Sequence, residues 1–157
     1  LRKPKHESHE LLGTAKFAGC LNVMKDVKRN KYTQNAKIEA DCSADGKEVY
    51  KLKSTAGDAN WWYDNRVSYI DAKTFADYRT EYFKGGKHVK TIDRSWVSAG
   101  IDDPRGSYWG YWYGTTLATG HETMAFIPRS VTKVNHKYKA KNLWSTRTLK
   151  KMPKKIK

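Results

Sequence analysis

Aliphatic residues are scarce in this chain. Leu, Ile, Val and Phe account for only 26 of 157 residues, against a net charge of +15. By that measure alone such a chain would lack the apolar surface to fold. Apolar runs are only a few residues long, which excludes a bilayer-spanning helix of about 20 residues. There are two cysteines and no Cys-x-x-Cys pair, so a tetrahedral zinc site would need histidine help. The glycine-rich phosphate loops, the His-Glu-x-x-His zinc motif and the Gly-x-Ser-x-Gly nucleophile elbow are all missing. Nothing asks for a cofactor or a resident metal, and the chain reads as non-catalytic.

What the chain has instead is aromatic surface. Six Trp and ten Tyr can each bury roughly 150–250 Å², enough to build a modest core. The expected fold is therefore mainly β: a small antiparallel barrel or barrel-like sheets with an aromatic-rich core and flexible basic termini.

The charge is unevenly placed. Glu122 is the last acidic residue, and eleven basic residues follow it. The first 122 residues carry 20 basic and 16 acidic side chains, so the body is near balance and the C-terminal segment is a polycation. Such blocks of like charge act as interaction arms, or simply as solvated tails. Lys outnumbers Arg by 23 to 8, which suits diffuse contact with a phosphate polymer better than planar, bidentate recognition. The polyanion-binding candidates are Lys137, Lys139, Lys141, Arg147, Lys150, Lys151, Lys154 and Lys155. Nucleic acid, anionic lipid head groups and wall teichoic acid all fit that description, and binding should weaken steeply with salt.

Along the chain, residues 1–12 read as a flexible arm, 13–134 as a β body and 135–157 as the basic segment. The body divides naturally into a barrel-like module over 14–70 and a hairpin sheet over 71–134. Ala36-Lys37-Ile38-Glu39-Ala40 alternates as a strand does, and Ser43-Ala44-Asp45-Gly46 is a turn. Trp61-Trp62-Tyr63 opens a strand running to Ile70. From Phe75, the residues Ala76, Tyr78, Thr80 and Tyr82 alternate with Asp77, Arg79 and Glu81. Gly85-Gly86 then sits where a two-residue hairpin turn belongs. A helix would instead align Phe75, Tyr78 and Tyr82. The segments Met124–Ile127 and Val131–Val134 read as the last two strands.

Residues 14–70 also carry an order of features that resembles the Src-homology-3-like wall modules of secreted proteins from lactic acid bacteria. The matching residues are Gly46-Lys47-Glu48-Val49-Tyr50-Lys51-Leu52-Lys53-Ser54, then Ala56-Gly57, Trp61-Trp62 and Tyr69-Ile70. The segments Asn135–Trp144 and Leu149–Pro153 resemble the linkers of such proteins. Asn60 replaces the usual Gly before the closing Trp, and the cysteines are foreign to the pattern. The resemblance implies a secreted, wall-associated, non-catalytic protein that binds a cell-surface polymer, teichoic acid or peptidoglycan.

The chain opens at Leu1 with no initiator Met and no signal peptide, the form expected of a mature secreted protein. Export would let Cys20 and Cys42 pair, closing a loop worth about 3 kcal/mol; the alternative is two reduced, buried thiols. The aromatic-binding candidates are Trp61, Trp62, Trp109, Tyr111, Trp112 and Tyr113. On a regular strand Trp109, Tyr111 and Tyr113 would share one face, with Tyr108 and Trp112 on the other. Adjacent Trp61 and Trp62 would likewise point to opposite faces. His6 and His9 belong to a solvated arm. Two further functions compete with polymer binding. One is a nucleic-acid-binding β protein that stacks bases. The other is a wall glycan hydrolase using Asp102, Asp103 and Glu122, or His121 beside Ser98 or Thr115.

Overall fold

A computed structural model of the protein describes residues 6–31, 33–103, 105–134 and 145–147. Seven strands follow one another in space as in sequence: β1 (Glu7–Lys16), β2 (Glu48–Ala56), β3 (Asn65–Asp71), β4 (Asp77–Lys84), β5 (Lys87–Ser98), β6 (Ser107–Thr116) and β7 (His121–Phe126). All neighbours pair antiparallel in one sheet. The mainly β expectation therefore holds, with the closure left out: β1 and β7 are edges, and the sheet is open. Its strands continue without a break from the 14–70 region into the 71–134 region.

Local chemistry explains the turns. Gly85 and Gly86 join β4 to β5 with φ of 54° and 73°, the left-handed pair that a two-residue hairpin requires. Between β3 and β4, the Asp71 carboxylate accepts the Lys73 and Thr74 amides at 2.9 and 2.7 Å and the Tyr78 hydroxyl at 2.7 Å. Phe75 does not open a strand but sits in this turn with φ of 60°.

The longest connection runs from Phe17 to Lys47 between β1 and β2 and lies against one sheet face. It is closed at its neck by the Cys20–Cys42 disulfide and by a single β-bridge between Leu21 and Asp41. Phe17, Leu21 and Ala44 from this excursion pack with Val49, Ala76, Tyr78, Tyr111 and Tyr113 to form the main core. Tyr111 ties the two layers: its hydroxyl donates to the Leu21 carbonyl and accepts from the Asp41 amide. Burial pushes that hydroxyl up to about 12, so it stays a donor. Asp93, fully buried, completes the clasp. It accepts the Asn22 amide and side chain at 2.7 and 2.8 Å, and Arg79 Nε and Nη2 at 2.7 and 3.0 Å. The Arg79 guanidinium also donates to the Cys20 carbonyl.

Three sequence expectations change. Residues 7–12 are the first half of β1, paired with β2, because edge pairing satisfies their backbone whatever their polarity. Residues 36–40 form no strand; alternation alone gives no ladder without a neighbouring strand to bond. Finally, Arg129–Val131 make a short 3₁₀ turn after Pro128, and β7 starts earlier, at His121.

Removing the Asp93 charge should leave Arg79 buried without its counter-charge. Asp93→Ala is expected to cost about 3–5 kcal/mol in urea unfolding, and the pair D93A/R79M less than D93A alone. Acid should act through Asp71. Burial alone would raise its carboxyl, but the Tyr78 hydroxyl and the Thr74 and Lys73 amides hold it below its ordinary value. A depressed carboxyl contributes stability above its unfolded value near 3.8 and loses it as the pH falls through the folded value. Urea midpoints measured from pH 5 downward should show that loss, and Asp71→Asn should flatten it.

Candidate functional site: an aromatic and cationic sheet face

The sheet face away from the excursion carries the candidate site, and β-bulges decide which side chains reach it. In β6, Tyr111 pairs with Ser95 while Trp109 pairs with Trp96; Gly110 is the extra residue. A single inserted residue moves everything beyond it to the other face. Tyr111 and Tyr113 therefore face the excursion, each 5% exposed. Trp112 and Trp109 share the opposite face, since their partners Arg94 and Trp96 are two apart on β5. This corrects the expectation that Trp109 accompanies Tyr111 and Tyr113, and it removes those two tyrosines from the binding candidates. Gly110 is required by crowding: a Cβ there would come within 2.7 Å of Val97 Cγ2.

Trp61 and Trp62 lie in the loop between β2 and β3, not on a strand. Asp58 starts the turn by accepting the Asn60 amide. Lys84 then binds the loop to the β4–β5 hairpin through the Ala59 and Trp61 carbonyls and Asp64. The Trp62 ring is thereby set 4.8 Å from Tyr82 and 4.5 Å from Tyr63, with Lys90 Nζ 5.5 Å from its centroid. Tyr63, Tyr82 and Ile92 form a small second core, with Trp112 packed against it. Tyr63 donates to Glu7, which also accepts Arg66.

Further along the face, Arg94 pairs with Asp77 at 2.9 Å and donates to Thr80. Its guanidinium lies 6.0 Å from the Trp109 ring, which meets Trp96 edge-on at 5.8 Å. Burial raises the Asp77 carboxyl, with Arg94 pulling against it. The result is a row of Trp62, Trp112 and Trp109 flanked by Lys90 and Arg94. Trp62 is 48% and Trp109 41% exposed. Trp61, also exposed, meets Tyr63 edge-on.

The two cations were not among the sequence candidates. The alternation Lys90-x-Ile92-x-Arg94-x-Trp96 is the signal that places them on one face. Of the polyanion-binding candidates, Arg147 is exposed; Lys137, Lys139, Lys141, Lys150, Lys151, Lys154 and Lys155 lie outside the described residues. His9, expected in a solvated arm, sits on β1 with Nδ1 2.9 Å from Ser54 Oγ.

The carboxylates of the hydrolase reading do not meet. Asp102 and Asp103 precede β6 whereas Glu122 pairs with Thr115 near its far end. At 3.3 Å per residue that is a separation on the order of 25 Å, too wide for a glycosidase pair. Asp103 is engaged by Arg105, and Glu122 accepts the Tyr113 hydroxyl. His121 stands opposite Thr116 on the β6–β7 ladder, its Nε2 3.3 Å from Thr123 Oγ1.

No family model matches the sequence, and no curated protein matches it either. Among solved structures the chain is similar to a domain from Vibrio parahaemolyticus designated an outer membrane lipoprotein-sorting protein. The identity is 16% and the TM-score 0.51, covering 83% of this chain and 46% of that one. The likeness is one of fold. It gives no support to the Src-homology-3-like barrel. Among the described residues no helix is long and apolar enough to cross a membrane, and the disulfide fits an extracellular or envelope compartment.

The bulge and the exposed ring make separable predictions. Gly110→Ala should cost about 1–3 kcal/mol through overpacking against Val97. Trp109→Ala should cost less than Gly110→Ala, about 1 kcal/mol, its ring being partly in solvent. Thermal melts of the two variants check both.

Proposed function

We propose that this is a secreted, non-catalytic protein that binds an anionic or glycan polymer of the cell surface, in a Gram-positive wall above all. The observation that carries the reading is the row Trp62, Trp112 and Trp109 on one face, with Lys90 and Arg94 beside it. Flat aromatic rings take the apolar faces of sugars much as they take bases, where each stack is worth about 1–3 kcal/mol. Lys90 supplies attraction for phosphate or carboxylate groups, Arg94 being buried and paired with Asp77. The Lys-rich C-terminal segment adds sequence-independent, salt-sensitive affinity.

Co-sedimentation with purified Gram-positive walls tests this, before and after teichoic acid extraction, at about 50 and 500 mM salt. The double variant W62A/W109A should lose roughly tenfold or more in affinity at both salts. Equal binding by the double variant and the unaltered protein would overturn the role of the aromatic face. Binding to single-stranded DNA but not to walls would turn the same face into a nucleic-acid platform.

A further inference from the structure

A second group of cations meets at the end of the sheet opposite the β4–β5 hairpin. Lys16 closes β1, Lys47 immediately precedes β2, and Lys73 lies in the turn between β3 and β4. All three line one open cleft of about 400 Å³, together with Gly46, Glu48, Asp71 and Thr74. Three segments remote in sequence thus bring three lysines to one concavity.

The cleft's own acids, Glu48 and Asp71, offset two of the three charges and leave the cleft net positive. Asp71 is buried and already satisfied by the Lys73 and Thr74 amides and the Tyr78 hydroxyl. That same hydroxyl accepts Lys47 Nζ at 3.2 Å, and the ammonium lies 5.5 Å from the ring centroid. Lys47 is therefore positioned by a hydroxyl oxygen and an aromatic ring. Glu48 stands opposite Lys16 across the β1–β2 ladder. Among the described residues no carboxylate makes an ion pair with Lys16, Lys47 or Lys73.

From this arrangement we infer that the cleft is a phosphate-binding subsite. Ammonium groups act as point charges that can surround a tetrahedral anion, whereas a planar carboxylate is better matched by the fork of an Arg, and among the described residues no Arg lines the cleft. The volume exceeds a lone phosphate several-fold, leaving room for esterified groups on either side. The site is independent of the tryptophan row, so either can fail without the other.

The test follows backbone amides of the ¹⁵N-labelled full chain, disulfide intact, titrated with tripolyphosphate at constant ionic strength. A site-resolved readout is needed because the Lys-rich C-terminal segment also attracts polyphosphate. The expected result is saturable shifts at Gly46, Lys47, Glu48, Lys73 and Thr74. The variant K47Q/K73Q should weaken binding at these amides by roughly tenfold or more, with the remaining spectrum unchanged. Should loss of the Lys47 contact to Tyr78 disturb the fold, K73Q alone, at an exposed turn position, should still weaken it. No saturation at these amides, or saturation undiminished in the variants, would overturn the subsite. Soluble poly(glycerol phosphate) and phosphatidylglycerol vesicles, tried in parallel, separate the two sources of such a phosphate: whichever moves the same amides supplies it.

Discussion

A buried carboxylate holds the two layers of this protein together. Asp93 has no solvent exposure and takes four donors, two from Asn22 on the excursion and two from Arg79 on the neighbouring strand. Removing a charge from water is costly unless its hydrogen-bonding capacity is filled, and here it is filled only when the excursion is docked. The disulfide at the neck narrows the conformations open to that segment, and Asp93 with Tyr111 fixes where it lands. With one face so occupied, the other face and the strand ends are left uncovered by the excursion.

The bulges then decide which aromatics serve which purpose. Tyr78 is the unpaired residue where β3 and β4 shift register between Tyr69 and Ile70, which turns its ring toward Phe17, 5.7 Å away. Gly110 does the same for β6, sending Tyr111 and Tyr113 inward while Trp109 stays out. Of six adjacent residues in the run Tyr108–Tyr113, the fold thus makes core of two and surface of one, by a single inserted glycine.

This explains how far the sequence could be read. The aromatic core was legible because no other residues could supply the area, and so was the Gly85-Gly86 hairpin, whose turn chemistry is local. The Cys20–Cys42 pairing was open to inference from spacing and compartment. Bulges leave no such trace: alternation assigns Trp109, Tyr111 and Tyr113 to one face, and only the partner strand shows the offset. Trp61 and Trp62 are strong β formers, yet Asp58 and Lys84 hold them in a loop. The lysine cleft was equally hidden, since its members lie 31 and 26 residues apart in sequence and meet only through strand pairing.

The two ends of the tryptophan row are not electrically equal. Arg94 is paired with Asp77, so the surroundings of Trp109 are close to neutral despite the guanidinium nearby. Lys90, beside Trp62, makes no ion pair among the described residues. Under the proposed function, a polymer carrying both neutral rings and charged groups would therefore lie in one direction, its anionic units toward Trp62 and its uncharged rings toward Trp109. Salt would loosen the first contact and leave the second, because screening acts on net charge and not on the ring surface.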